Sequence, residues 1–224
     1  MMRSLRPDAL AHADEVLLRC PALAAVRDGL IAAAEAICAC HRAGGKVLDC
    51  GNGGSAADSE HLVAELVKGF VLPRRIPEAD IARIRRAGAD DPEMATELAG
   101  RLQGGVAALS LTGHPALATA MENDAGRHLI FAQQVYVCGR PGDILIGLST
   151  SGNSGNVLHA LTVARAQGLL AIGLNGNRPA KMDALCDILI KVPETVTHKV
   201  QELHLPAYHT ICLMVEQELF GAAP

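Results

Sequence analysis

Residues 47–66 read Val47-Leu48-Asp49-Cys50-Gly51-Asn52-Gly53-Gly54-Ser55-Ala56-Ala57-Asp58-Ser59-Glu60-His61-Leu62-Val63-Ala64-Glu65-Leu66. A short apolar run stops in Gly-Asn-Gly-Gly-Ser and a helix-forming segment begins at once. That order predicts a strand, a tight turn and a helix N-terminus. Free backbone N–H groups at such a turn, with the helix dipole behind them, favour an anion. His61 and Glu65, four residues apart, share one face of the new helix. The stretch thus offers an anion cradle and, further along, a base or metal-ligand pair. Taken alone, His61 and Glu65 read as an ordinary solvated helix pair.

On the N-terminal side, residues 8–42 read as helix with a break at Cys20-Pro21, because proline cannot donate to the preceding turn. Gly44-Gly45 then leads into the strand at 46–50. On the C-terminal side the helix over 55–70 gives way to the least regular part of the chain, 72–90. Its short basic run, Arg74-Arg75 through Arg83 to Arg86, is flanked by acids and reads as solvated surface. Asp91-Pro92-Glu93 starts another helix, with Asp91 as N-cap and Pro92 in the first helical position. Strands are predicted at 106–111, 143–148, 169–174 and 187–192. Helices are predicted from the Thr112-Gly113-His114-Pro115 turn to Asn123-Asp124, near 128–138, at 155–167 and at about 203–220. Apolar runs alternating with amphipathic helices predict an α/β fold: a three-layer, doubly wound, mostly parallel sheet with extra N-terminal helices. Ligands of such sheets sit at the carboxyl ends of the strands, where both Gly/Ser-rich turns fall.

The totals agree with one domain spanning 1–224, with an N-terminal helical segment at 1–44 and an insertion at about 72–105. Half of the 224 residues are hydrophobic, but only 2% are aromatic and none is Trp. The core is therefore expected to be aliphatic, as suits helices packed closely on a parallel sheet. Twenty Lys and Arg against 24 acidic residues give no bulk positive field for nucleic acid. No membrane span is expected. Seven cysteines without paired spacing, and no signal peptide, point to free buried thiols in a reducing cytoplasm.

The turn Ser149-Thr150-Ser151-Gly152-Asn153-Ser154 gathers hydroxyls and amide hydrogens just before a helix, an arrangement that suits a phosphate without any lysine. A simple N-cap needs only one such residue. The turn lacks G-x-x-x-x-G-K-[ST], and the first turn lacks G-x-G-x-x-G, which argues against Walker-type nucleotide and dinucleotide sites. The last helix carries His204 and His209. His209, among Tyr208, Ile211 and Cys212, reads on its own as a core histidine. Gln201 lies eight positions before His209, about 12 Å along a continuous helix. The two are expected to share a centre only if Gln201 sits in the lead-in to the helix and folds back, a start that Pro206 in the first turn would favour.

Taken in order, Gly51-Asn52-Gly53-Gly54-Ser55, His61 with Glu65, Asn123-Asp124, the 149–154 turn, and Gln201-Glu202 with His209 resemble the phosphosugar-binding SIS domains, within them the phosphoheptose isomerases. The resemblance covers most of 30–220. It implies a flavodoxin-like sheet and aldose–ketose isomerisation of a sugar phosphate, sedoheptulose 7-phosphate to D-glycero-D-manno-heptose 7-phosphate, through an enediol. It implies that Asn52, Gly53, Gly54 and Ser55 meet the sugar phosphate and that Asn123 and Asp124 bind the sugar. Ser149, Thr150, Ser151 and Ser154 would hold the phosphate. His61, Glu65, Gln201 and His209 would coordinate one zinc ion per subunit, with Glu65 and His209 as the acid/base pair. It further implies a homotetramer with active sites near subunit boundaries. The chain departs from that family in its extra length around 72–105 and in His198, where an acidic residue is common. The opposing readings are an isomerase of another phosphosugar, and a non-catalytic SIS module like the bacterial regulator that binds the replication initiator. That regulator lacks the Glu/His pair seen here as Glu65 and His209. A sugar-phosphate-sensing regulator would bring a DNA-binding domain, for which the residues before the first strand are too few and too hydrophobic.

Overall fold

The computed structural model describes residues 4–222; residues 1–3 of the expected N-terminal segment and 223–224 lie outside the described residues. In chain order the elements are α1 (Pro7–Arg19), α2 (Arg27–Arg42), β1 (Val47–Cys50), α3 (Gly54–Val67), α4 (Glu78–Ala87), α5 (Pro92–Arg101), β2 (Ala108–Ser110), α6 (Pro115–Asp124), α7 (Ile130–Cys138), β3 (Ile144–Leu148), α8 (Gly155–Ala166), β4 (Leu170–Gly176), β5 (Ile188–Val192) and α9 (Thr197–Phe220). A 3-10 turn at Pro21–Val26 separates α1 from α2, as the proline predicts.

The five strands form one parallel sheet in the order β2-β1-β3-β4-β5. The chain steps outward from β1 to β2 and then crosses back to β3, so the order reverses between β1 and β3. Loops leaving the carboxyl ends of these two strands open a crevice at that switch point. Alternation along the strands divides the core. Val47, Ile144, Ile146 and Leu148 pack with α2, α9 and the Leu62 and Leu66 face of α3. Leu48, Cys50 and Leu145 pack with α7 and α8 on the other side. A Cβ at Gly147 would lie 3.0 Å from Val157 Cγ1, so glycine there lets α8 settle close against β3.

Four expectations need correction. The final helix begins at Thr197, six residues before the expected 203, which leaves Pro206 inside it. Proline has no N–H for the Glu202 carbonyl, and the helix runs on through it because the buried face of α9 packs along its length. The stretch read as irregular contains α4. Its start carries Glu78 and Asp80 and its end Arg85 and Arg86, each charge suited to the dipole end it occupies. Arg74, the first residue of the basic run, is buried and not solvated. Of the seven unpaired cysteines, Cys138 is exposed and Cys20 and Cys186 are half-buried; the other four are buried.

Residues 72–105, expected as an insertion, contain a two-helix hairpin, α4 and α5, whose ends return to one place. Arg75 and Gln103 form an antiparallel bridge, Gly104 N–H donates to Arg74 O, and Gln103 Oε1 accepts from Gly69 N–H. Because the hairpin closes on its own base, it leaves the sheet undisturbed. Asp91 caps α5 by accepting from Met94 N–H at 3.0 Å, as expected.

Candidate active site

The crevice at the switch point is a cleft of about 360 Å³ lined by Asn52, Gly53, Gly54, Ser55, Ser149, Thr150, Ser154, Thr197 and Gln201 together with Leu148. Three helices begin at its wall: α3 at Gly54, α8 at Gly155 and α9 at Thr197. Their unpaired N–H groups and positive dipole ends favour an anion in the cleft although no Lys or Arg lines it. Gly53 has φ +56°, a backbone state that side chains disfavour, and this turns the chain sharply from β1 into α3. A Cβ on Gly54 would lie 2.6 Å from Gln201 Nε2, so glycine at 54 is what allows α9 to bring Gln201 to the cleft.

Ser149 and Ser154 meet through their hydroxyls at 2.9 Å across the second turn. Ser151 stands at its exposed tip and accepts from Asn153 N–H. Asn52 is fixed by a reciprocal amide pair with Asn156, at 2.9 and 2.8 Å, which ties the first turn to the start of α8. Sequence reasoning missed Asn156 and Thr197. The only signal for either was position, one just inside α8 and the other at the start of α9.

From the cleft, α3 and α9 run on side by side and bring the second half of the site together. His61 Nε2 lies 3.3 Å from Glu65 Oε1 and 3.4 Å from His209 Nε2. Glu65 is mostly buried, and its other oxygen accepts from Lys68 Nζ at 2.8 Å. Burial and the adjacent His61 hold the His209 imidazole below its ordinary pKa. Phe70 covers one side of the His209 ring, with centroids 5.2 Å apart. Tyr208 and Asp58, which the sequence did not single out, hydrogen-bond behind His61. The core histidine of α9 is His204, fully buried, and not His209.

Not every expected residue joins this site. Gln201 lies in the first turns of a continuous α9 and against Gly54, so the expected fold-back in a helix lead-in does not occur. Asn123 and Asp124 end α6 on the surface, hydrogen-bonded to each other, and do not line the cleft. His198 is exposed at the start of α9. Among the described residues, no group of three or more His, Cys, Asp or Glu side chains forms a ready-made metal site. The donor chemistry of His61, Glu65 and His209 still fits a cation. Ligands about 2.0–2.1 Å from a tetrahedral zinc stand about 3.3–3.4 Å apart, the spacing of His61 Nε2 from its two neighbours.

Comparison with known proteins agrees with this architecture. Residues 13–101 and 93–176 match the SIS domain family. The phosphoheptose isomerase of Rhodospirillum rubrum is 42% identical over 187 residues, covering 84% of this chain and 84% of that protein. The chain belongs to the phosphoheptose isomerase family. Two solved phosphoheptose isomerases share its fold over nearly their whole length. That of Francisella tularensis has a TM-score of 0.72 at 29% identity, covering 91% of this chain and 93% of the other. That of Neisseria gonorrhoeae has a TM-score of 0.67 at 31% identity, covering 93% and 91%. Membership gives the two half-sites a common purpose, since an isomerase of a phosphorylated sugar needs an anion site and an acid/base centre at a fixed separation.

Proposed function

We propose that the chain interconverts sedoheptulose 7-phosphate and D-glycero-D-manno-heptose 7-phosphate. The observation that carries this reading is the spacing of the two half-sites along α3 and α9. From Gly54 to His61 and from Gln201 to His209, the helices rise about 10–12 Å. A seven-carbon chain with bonds of about 1.5 Å reaches a similar distance from its terminal phosphate to C1. The phosphate belongs in the cleft between the three helix N-termini, held by the hydroxyls of Ser55, Ser149, Thr150 and Ser154. The C1–C2 end then falls at Glu65 and His209.

The reaction moves one proton from C1 of the ketose to C2 of the aldose through an enediol. Glu65 is the base that removes and returns this proton, and its near-burial strips water from the carboxylate. His209 moves the hydroxyl proton between O1 and O2. We propose zinc as the resident cation, held by His61, Glu65 and His209; when bound it would supply Lewis-acid polarisation of the C2 carbonyl. The 3.3 and 3.4 Å donor spacings support these ligands. Exposed Leu18, Leu109, Tyr136 and Val137 support self-association, for which we propose the tetramer. Seven unpaired cysteines support a reducing cytoplasm, and no described helix is long and apolar enough to cross a membrane.

Glu65→Gln tests the assignment. The purified variant should lose at least about 10³-fold in kcat on sedoheptulose 7-phosphate while still binding it. Unchanged turnover would rule Glu65 out as the base.

A further inference from the structure

The turn at 149–154 is seated on a segment that the proposed reaction does not use. That segment, residues 175–183, leaves the carboxyl end of β4 and meets the turn along its length. Gly176 N–H donates to Thr150 O at 3.1 Å and Met182 N–H to Gly152 O at 3.1 Å, while Lys181 N–H donates to Asn153 Oδ1 at 3.0 Å. Three acceptors of the turn are thereby occupied. An anion is repelled by oxygen acceptors and held by donors, so tying these oxygens down leaves the hydroxyl and N–H groups of the turn for a phosphate. Contact is closest at Gly152, which has φ +63°: a Cβ there would lie 2.5 Å from Ala180 Cβ and 2.7 Å from Asn175 Nδ2.

One carboxylate gathers this segment. Asp183 Oδ1 accepts from Asn175 Nδ2 at 3.2 Å, and its Oδ2 accepts from Ala180 N–H at 3.2 Å and from Lys191 Nζ at 2.6 Å. Lys191 stands on β5 and also donates to Arg178 O at 2.9 Å, which anchors the clamp to the sheet. Burial opposes the Asp183 charge, but the hydrogen bonds from Lys191, Ala180 and Asn175 outweigh it and hold the carboxyl below its usual range. An ionised carboxylate only accepts, which turns the Asn175 amide with its Nδ2 toward Asp183. Asn175 is fully buried, and its Oδ1 has no partner among the described residues, so Asp183 alone orients the amide that lies against Gly152. Asp183 itself does not line the cleft.

We propose that Asp183 is a positioning residue for the phosphate: through Asn175 and Ala180 it seats the 149–154 turn so that the donors of the turn converge on the ligand. This deepens the isomerase reading and rests on its placement of the phosphate in the cleft. No Lys or Arg lines that cleft. Its affinity therefore comes from hydrogen bonds, which weaken steeply when distance or angle is lost.

The test titrates inorganic phosphate into the full chain, stripped of metal, by calorimetry with and without excess sedoheptulose 7-phosphate. The binding that the sugar phosphate abolishes is that of the cleft. Asp183→Ala should weaken it about 10-fold. With zinc-supplemented protein the same variant should raise KM for sedoheptulose 7-phosphate by a similar factor and leave kcat unchanged, the mark of lost uniform binding. Asn175→Ala should also weaken phosphate, and the double variant should lose no more than Asp183→Ala alone, because the two share one contact. If Asn175→Ala fails to fold, Lys191→Met should weaken phosphate in the same direction. Wild-type phosphate affinity in folded Asp183→Ala, additive losses in the double variant, or kcat falling without a rise in KM would overturn the proposal. So would a wild-type protein with no displaceable phosphate. A wild-type protein whose phosphate binding weakens as expected in Asp183→Ala, yet which turns over no sedoheptulose 7-phosphate, would sink the isomerase reading alone.

Discussion

Five positions separate His204 from His209 on α9, and the packing around each ring decides what it can do. His204 is fully enclosed, and burial pushes its pKa down to about 4. In the unfolded chain the same ring titrates near 6.5. Its folded pKa is depressed, so its contribution to stability is complete above about 6.5 and is lost as pH falls toward 4. The full shift corresponds to at most about 3 kcal/mol. Denaturant midpoints measured from pH 7.5 to 4.5 should therefore fall less steeply for His204→Leu than for wild type. Equal slopes would mean that the buried ring does not carry the shift. Which of the two histidines is buried was not legible in the sequence, because both have apolar neighbours in the chain. The helix phase on α9 separates them, and that phase depends on a start at Thr197 that Pro206 obscured. The glycines at 51, 53 and 54 were legible, since an abrupt strand-to-helix turn has few other solutions.

At the scale of elements, the hairpin formed by α4 and α5 is joined to the site by Arg74. Its guanidinium donates to Glu216 at 2.7 Å and to the carbonyls of Glu65 and Leu66, the last turn of α3. It also lies over the Phe220 ring at 4.8 Å. Burial works against the Glu216 charge, but the N–H groups of Phe70 and Val71 and the Arg74 guanidinium outweigh it and hold the carboxyl below its usual range. The pair thus caps the helix end that carries Glu65 and anchors the segment leading into the hairpin. Arg74→Met leaves a buried carboxylate without its cation and should cost about 3–5 kcal/mol. For a chain of this length that lowers Tm by roughly 10 °C or more. The double change Arg74→Met, Glu216→Met should recover most of the loss, because no charge is then stranded. A drop below about 2 °C for the single variant would contradict this account. Sequence reading took the basic residues of 72–90 as one solvated run. The partner that buries Arg74 lies 142 residues away, so no local pattern announces it.

For the whole molecule, the alternation of apolar runs and helices disclosed the parallel sheet. The order β2-β1-β3 then explains why turns at 51–55 and 149–154, a hundred residues apart, share a cleft. The pairing of His61 and Glu65 with His209 was expected only through resemblance; the physical cause is that α3 and α9 start at the same cleft and pack together. Asn123 and Asp124 lie at the exposed end of α6, outside the cleft. The central claim is that one cleft holds the phosphate while the adjoining helix pair moves a proton between C1 and C2. The most direct measurement is incubation of the zinc-supplemented protein with sedoheptulose 7-phosphate in deuterated water. The account predicts a heptose 7-phosphate aldose carrying deuterium at C2. A folded protein that binds the ketose phosphate and returns it unchanged, with no deuterium at C1, would contradict it.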